Sequence, residues 1–232
     1  PDSLERSMER YPHPFATVGT AADDTCILGF TSGTTGIPKA TMHFHRDVMA
    51  ICRCWPPHML RPAPDDVFIG SPPLAFTFGL GGLLLFPMAV GASTVLLEKA
   101  GPPQLLDGIK EFHATVLFTA PTSYRTLAAR GVELRRTPLR KCVSAGEALP
   151  SSTRALWKEA TGIELIDGIG ATEMLHIFIS ADEAHALVDR AMAHVGAVGI
   201  EQGFKDLHDP ELGFIDRDLY VFALDRDGVY MA

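Results

Sequence analysis

The stretch Phe30-Thr31-Ser32-Gly33-Thr34-Thr35-Gly36-Ile37-Pro38-Lys39 concentrates residue types that can hold an anion. Gly33 and Gly36 let the backbone turn tightly and bring its N–H groups close to a charged oxygen. Thr31, Ser32, Thr34 and Thr35 add hydroxyl donors, and Lys39 adds a positive charge. The chemistry such a set could serve is the cradling of a polyphosphate. A solvated Ser/Gly linker is the plain alternative, but a linker need not follow a buried strand and end in Pro-Lys. A Walker-type loop requires Gly-Lys-Ser/Thr in succession at the start of a helix. Here Ile37-Pro38 separates Gly36 from Lys39 and Ala40 follows, so that match fails.

Other polar residues carry weaker signals. His43 and His45 alternate as on a strand and read as strand residues before metal ligands. Ala120-Pro121-Thr122 falls at a strand end and could floor a pocket for an acid. Asp216-Arg217-Asp218 and Asp225-Arg226-Asp227-Gly228 lack the spacing of a helix–loop–helix calcium site and read as solvated turns. Of the four cysteines, Cys52 and Cys54 are too close for a redox pair or zinc knuckle. Cys26 and Cys142 sit in apolar runs, and all four read as free thiols of a reducing, cytoplasmic compartment.

The elements that must position the loop follow from periodicity. Residues 26–30 read as a buried strand and 40–43 as the returning strand. Residues 46–55 read as a helix that Pro56-Pro57 should stop. Strands at 66–70, 93–97, 115–119, 141–145 and 163–167 alternate with helices at 79–90, 103–112, 122–130 and 150–161. Strands separated by helices of this length imply an α/β fold with a mostly parallel sheet and flanking helices. The pattern then changes. Apolar positions Ala184, Leu187, Val188, Ala191 and Val195 have helical spacing. Residues 218–224 and 229–232 predict an antiparallel hairpin about a turn at 225–228.

With 232 residues the chain can form one large domain or two small ones. Its formal net charge of −8 argues against nucleic acid or an anionic membrane as a partner bound by charge alone. No segment reaches the roughly 18 apolar residues of a membrane span. The opening Pro1-Asp2-Ser3-Leu4-Glu5 carries neither a starting methionine nor a signal peptide, as in a chain clipped from a longer one.

The loop at 31–39 closely resembles the phosphate loop of the adenylate-forming superfamily: acyl- and aryl-CoA synthetases, peptide-synthetase adenylation domains and luciferases. Three further stretches resemble that family in order and spacing. Ser144-Ala145-Gly146-Glu147-Ala148-Leu149-Pro150 resembles its adenine-binding turn. Asp167-Gly168-Ile169-Gly170-Ala171-Thr172-Glu173 resembles its Tyr-Gly-x-Thr-Glu motif. Pro73-Leu74-Ala75-Phe76-Thr77-Phe78-Gly79-Leu80-Gly81 resembles the stretch that lines the acid pocket. Ile169, where many members have an aromatic residue, and Met174-Leu175-His176-Ile177-Phe178 look like the benzoate- and aminobenzoate-CoA ligase branch.

The resemblance implies a reaction and a set of roles. A carboxylate attacks the α-phosphorus of ATP to give acyl-AMP and pyrophosphate, and coenzyme A then displaces AMP. Thr172 would contact the α-phosphate and Glu173, otherwise an ordinary surface carboxylate, would hold Mg²⁺. Thr172, Glu173 and Lys39 would form the catalytic group, with Thr31, Ser32, Gly33, Thr34, Thr35, Gly36 and Lys39 on the phosphates. Gly146, Glu147, Ala148, Asp167, Gly168 and Ile169 would surround adenine. Phe76, Phe78, Gly79, Ala120 and Gly170 would line a short, flat slot suited to an aromatic acid.

The resemblance spans about residues 24–180. The ribose-binding Asp, hinge and small lid that family members carry next are not found after Ser180. Residues 182–232 instead resemble the start of a Cache-type sensor domain. The expected organisation is therefore a partial adenylation domain at 1–180, followed by a long helix and hairpin at 181–232 through which the chain could self-associate. A ligand-sensing protein with a vestigial ligase half is the alternative function. Limited proteolysis is expected to cut near residues 180–183 and release a folded N-terminal piece. A tail as protease-resistant as residues 24–180, in a monomer, would instead mean one integrated domain.

Overall fold

The computed structural model describes residues 3–11, 14, 16–31 and 39–180, with 194, 197–199, 202, 206, 215–216 and 219–220. Helix α1 (Leu4–Glu9) precedes an antiparallel hairpin of β1 (Thr25–Thr31) and β2 (Lys39–Phe44) and helix α2 (His45–Trp55). Then follow β3 (Val67–Gly70), α3 (Thr77–Leu80), α4 (Phe86–Val90), β4 (Ser93–Val95) and α5 (Pro102–Glu111). The remainder is β5 (Val116–Thr119), α6 (Pro121–Ala128), α7 (Gly131–Leu134), β6 (Lys141–Ser144), α8 (Ser151–Thr161), β7 (Leu165–Gly170) and β8 (Ile177–Ser180). Prolines open α5 and α6 at the first turn, where a missing N–H costs nothing. Gly162 closes α8 in the left-handed conformation that glycine adopts freely.

Six strands form one sheet in the order β4-β3-β5-β6-β7-β8. Its pairs are parallel except the last, where β8 runs antiparallel to β7. The central strands are apolar almost without interruption because both faces are covered. Alternate side chains take opposite faces. Ile69, Leu117 and Cys142 pack with Leu105 and Ile109 of α5, Leu127 of α6 and Trp157 of α8. Phe68, Val116, Phe118 and Val143 pack with Trp55, Leu83 and Phe86 on the other side. On the first face the buried Tyr124 hydroxyl reaches the Leu117 carbonyl at 3.0 Å and the Val143 carbonyl at 2.9 Å, spanning β5 and β6.

The order contains one reversal. β4 pairs on one side of β3, and the chain then crosses back through α5 to place β5 on the other side. The two crossovers lie on opposite faces, since Leu83 and Phe86 belong to one apolar cluster and Leu105 and Ile109 to the other. Such a reversal leaves a crevice beyond the carboxyl ends of the strands where the connections part.

At the opposite, amino end of the sheet, buried Asp66 joins three strands. It accepts from Thr115 Oγ1, Arg140 Nη2 and Lys141 Nζ, each at 2.7 Å, and from the Ala63 N–H at 2.9 Å. Burial pushes its pKa up, but the bonds from Lys141, Thr115 and Ala63 together outweigh that and leave it below the ordinary 3.8.

Four local expectations are corrected. The run 26–30 is a strand but not a buried one: Cys26 is exposed, as are Leu28 (54%) and Phe30 (71%), because β1 belongs to the two-stranded hairpin and not to the covered six-stranded sheet. Pro56-Pro57 ends the α-helical ladder but not the coil. A π-helical turn, Pro56–Leu60, follows, closed by the Arg61 N–H on the Pro56 carbonyl at 2.7 Å. The wider turn asks no N–H of the prolines, and Arg61 then stops it in the left-handed region (φ 49). Residues 77–90 are helical but contain a second π turn, Gly81–Leu85. The strand expected at 163–167 begins at Leu165 and runs on to Gly170, because Gly168–Gly170 pairs with β8, a strand absent from the sequence reading.

In the tail, two-residue strands β9 (Ile215–Asp216) and β10 (Leu219–Tyr220) pair antiparallel. Leu219 and Tyr220, within the strand expected at 218–224, therefore pair with residues that precede them. The partner expected at 229–232, and most of the helix expected over 182–206, lie outside the described residues. Among the described residues no helix is long and apolar enough to cross a membrane.

The Asp66 cluster carries the first structural prediction. A carboxylate with a lowered folded pKa stabilises the fold above its unfolded pKa, and that contribution is lost as pH falls through the folded value. Asp66→Ala is expected to cost near the lower end of about 3–5 kcal/mol, because Arg140 and Lys141 keep contact with water. It should also flatten the decline in stability below about pH 4. Denaturant titration of both proteins across the acid range checks this, and parallel acid limbs would refute it.

Candidate functional site

A cavity of about 640 Å³ occupies the crevice left by the strand reversal. Its floor comes from the carboxyl ends of four neighbouring strands: residues 71–73 past β3, Ala120 past β5, 145–147 past β6, and 170–172 at the end of β7. Residues 76–78 form one side and residues 176–177 another. The volume lies within the range of small-molecule sites, and the position follows the rule for open parallel sheets.

On the inner wall His176 is backed by aromatic rings. The buried His176 ring lies 4.5 Å edge-on from Phe86, 5.5 Å from Trp55, 5.7 Å from Phe78 and 6.2 Å from Phe118, between centroids. The π turn makes this closeness possible. A side chain at Gly81 would collide with the His176 ring, and one at Gly82 with the Phe118 ring. Burial among these rings pushes the His176 pKa from 6.5 down to about 4, which the Phe78 backbone offsets only in part. Neither ring nitrogen has a partner of good hydrogen-bonding geometry. A neutral imidazole is thus the polar point of an otherwise apolar end wall.

At the mouth, Gly146 follows β6 with φ +87, and nothing lies within 4 Å of where its Cβ would stand. The turn presents open backbone to the cavity, which a flat ring could approach. Beside it Glu147 accepts the Thr122 hydroxyl at 3.3 Å. Across the cavity the end of β7 leads into a 3₁₀ turn, Thr172–Met174, that stops at buried Leu175 in the left-handed region (φ 61). Such a conformation in a residue other than glycine is costly, and such residues cluster at functional sites.

The structure sorts the site residues expected from sequence. Phe76, Phe78, Ala120, Gly146, Glu147, Gly170 and Thr172 all line the cavity. Gly79 does not. It is buried against the Pro72 and Pro73 backbone, where a Cβ has no room, so it supports the wall from behind. Ala148, Asp167, Gly168 and Ile169 also stand outside the lining. The Asp167 carbonyl accepts the Ser180 hydroxyl at 2.6 Å, Gly168 packs on Ile177, and Ile169 is 56% exposed on the β7–β8 ribbon. Glu173 is an exposed carboxylate. Among the described residues no three His, Cys, Asp or Glu side chains cluster to hold a metal by themselves. Thr31 and Lys39 pair across the hairpin. Ser32, Gly33, Thr34, Thr35 and Gly36 lie outside the described residues.

The sequence reading placed His176 only within the stretch 174–178 and not as a cavity residue, and it missed Ser71 and Pro72. The available signal for His176 was a lone imidazole in the apolar run 175–179. For Ser71 and Pro72 it was their position just past the β3 apolar run.

The sequence profile described as AMP-binding enzyme matches residues 2–203. Benzoate–CoA ligase of Thauera aromatica is 37% identical over 185 residues, covering 77% of this chain and 34% of the relative. Anthranilate–CoA ligase of Pseudomonas aeruginosa is 36% identical over 165 residues, covering 71% and 32%. The crystal structure of the anthranilate CoA ligase AuaEII with anthranoyl-AMP superposes with a TM-score of 0.70 at 40% identity, covering 77% of this chain and 35% of that one. A benzoate CoA ligase from Burkholderia xenovorans LB400 gives 0.69 at 31%, covering 76% and 36%. The chain thus spans about a third of the length of the relatives it matches.

The buried imidazole sets a pH expectation. A histidine with a lowered folded pKa takes up a proton on unfolding, so its stabilising contribution is whole above pH 6.5 and lost as pH falls toward 4. The slope is at most about 1.4 kcal/mol per pH unit. Replacing His176 by Leu is expected to remove that slope between pH 6.5 and 4 in a urea-denaturation series. A variant that keeps the full slope would assign it to other groups.

Proposed function

Since the chain belongs to the AMP-binding enzyme family, we propose that its cavity is the acid and nucleotide site of an ATP-dependent aryl-acid–CoA ligase. The observation that carries the reading is a cavity backed at one end by His176 and its aromatic rings and bounded at the other by the Gly146 and Thr172 turns. The His176 end suits a flat acid. The rings around His176, with Gly81 and Gly82 tight against His176 and Phe118, obstruct a long acyl chain. The named relatives act on benzoate and anthranilate, which supports an aromatic acid.

In this reading the acid lies against Phe76, Phe78, Ala120 and Gly170 with its carboxylate toward Thr172. Adenine rests on the open backbone at Gly146 and beside Glu147, and Ile169 and the adjoining Asp167 and Gly168 stand next to it. Residues 31–39 hold the phosphates, with Lys39 supplying charge. Thr172 faces the α-phosphate, so the attacking carboxylate and the phosphorus meet at one turn. The donor set fits Mg²⁺, which takes one or two carboxylates and completes its shell with phosphate oxygens and water. Glu173 is the carboxylate offered here. When bound, the ion would neutralise developing phosphate charge. Coenzyme A is the thiol that completes the reaction in the whole protein.

The direct test is titration calorimetry of the chain with ATP·Mg²⁺, AMP and a benzoyl-AMP analogue, alongside benzoate and palmitate. Nucleotide binding at high micromolar to millimolar level is expected, with the aryl adenylate tighter and palmitate not competing with benzoate. Complete turnover to the CoA thioester is not expected from a chain spanning a third of its relatives. No binding of any nucleotide up to millimolar concentration would reject the reading. Palmitate displacing benzoate would reject the aromatic acid.

A further inference from the structure

Among the described residues, the hairpin of β1 and β2, whose ends flank residues 32–38, shares no strand pairing with the six-stranded sheet. One buried side chain ties it to the turn that carries Thr172 and Glu173. His43 of β2 is 5% exposed, and its Nε2–H donates to the Thr172 carbonyl at 2.8 Å. Because a carbonyl can only accept, the proton sits on Nε2. The Thr41 hydroxyl lies 3.0 Å from the same nitrogen and donates to the Gly29 carbonyl at 3.2 Å. Gly29 completes the junction. A Cβ there would stand 2.7 Å from the Thr172 methyl and 2.9 Å from Thr41 Oγ1, so hairpin backbone and turn touch directly.

We propose that His43 is a positioning residue: by bonding the Thr172 carbonyl it sets the phosphate-loop hairpin against the Thr172–Glu173 turn. The assignment rests on the nucleotide reading above. His43 touches no substrate in that reading. It acts by holding in register two segments that no sheet pairing joins, the ends Thr31 and Lys39 on one side and Thr172 on the other. One lost buried hydrogen bond is enough to matter, because a phosphate chain must meet both segments at once.

The test uses the whole chain with three substitutions. His43→Leu keeps bulk and removes the donor. His43→Gln restores an N–H donor at a reach close to that of Nε2. Gly29→Ala leaves His43 intact but forces hairpin and turn apart from the other side, and it carries the test should His43→Leu fail to fold. Two readouts are taken: ATP·Mg²⁺ affinity by calorimetry, and amide hydrogen exchange at residues 171–176 with the β5 and β6 amides as internal reference. Expected are an affinity loss of about tenfold and faster exchange at 171–176 in His43→Leu and Gly29→Ala. The reference amides should be unchanged, and His43→Gln should stay within about threefold of the parent on both readouts. His43→Leu behaving like the parent would overturn the assignment. So would His43→Gln failing as badly as His43→Leu, since bulk rather than the bond would then be responsible. If the parent chain binds no nucleotide, the functional reading fails separately. The exchange arm still decides the coupling, which stands if His43→Leu loosens the turn and His43→Gln does not, and falls if both histidine variants loosen it or neither does.

Discussion

Burial of the central strands on both faces is the constraint from which the rest follows. Phe68, Ile69, Val116, Leu117, Phe118, Cys142 and Val143 are fully buried, with successive residues facing opposite layers. Parallel strands of this kind need crossover connections, and both layers need cover, so helices must lie on both sides. Once β4 and β5 take opposite flanks of β3, the connections part and a crevice opens at the carboxyl ends. The floor of the cavity descends from that arrangement: residues 71–73, 120, 145–147 and 170–172 are the first residues free of the sheet or the last within it.

The two ends of the sheet then divide the work. At the amino end, Asp66 is buried and satisfied by Thr115, Arg140 and Lys141, a set in which each donor has its acceptor. At the carboxyl end Ser71 pairs with Thr119 at 2.6 Å, but other polar groups are left open. His176 has unpartnered nitrogens, Gly146 shows bare backbone, and buried Leu175 holds a left-handed conformation at the end of the otherwise exposed turn after Thr172. A closed polar network stabilises a fold, whereas exposed or unpartnered groups are what a ligand can use.

Much of this was legible in the sequence where the signal is local. Alternation of apolar runs with helical spacing gave every strand of the sheet except β8, and the stretches around Phe76, Gly146 and Thr172 pointed to three walls of one cavity. What escaped depends on pairing at a distance. β8 is a four-residue run, too short to stand out in the sequence, that pairs antiparallel with β7. Gly79 reads like a lining residue by its neighbours, yet the backbone of Pro72 and Pro73 occupies its open side. His43 looked like one of two alternating strand histidines, because its partner, Thr172, lies 129 residues away. His176 became meaningful only when Trp55, Phe78, Phe86 and Phe118 closed around it.

The central claim is that one cavity at the carboxyl ends of β3, β5, β6 and β7 takes both the acid and the nucleotide. The most direct measurement is amide chemical-shift mapping of the isotopically labelled chain with a non-hydrolysable benzoyl-AMP analogue. The account predicts saturable shifts confined to residues 71–73, 76–78, 120, 145–147 and 167–177, with the amino-end residues around Asp66 unmoved. Shifts scattered over the surface, or centred on the amino end of the sheet, would contradict it.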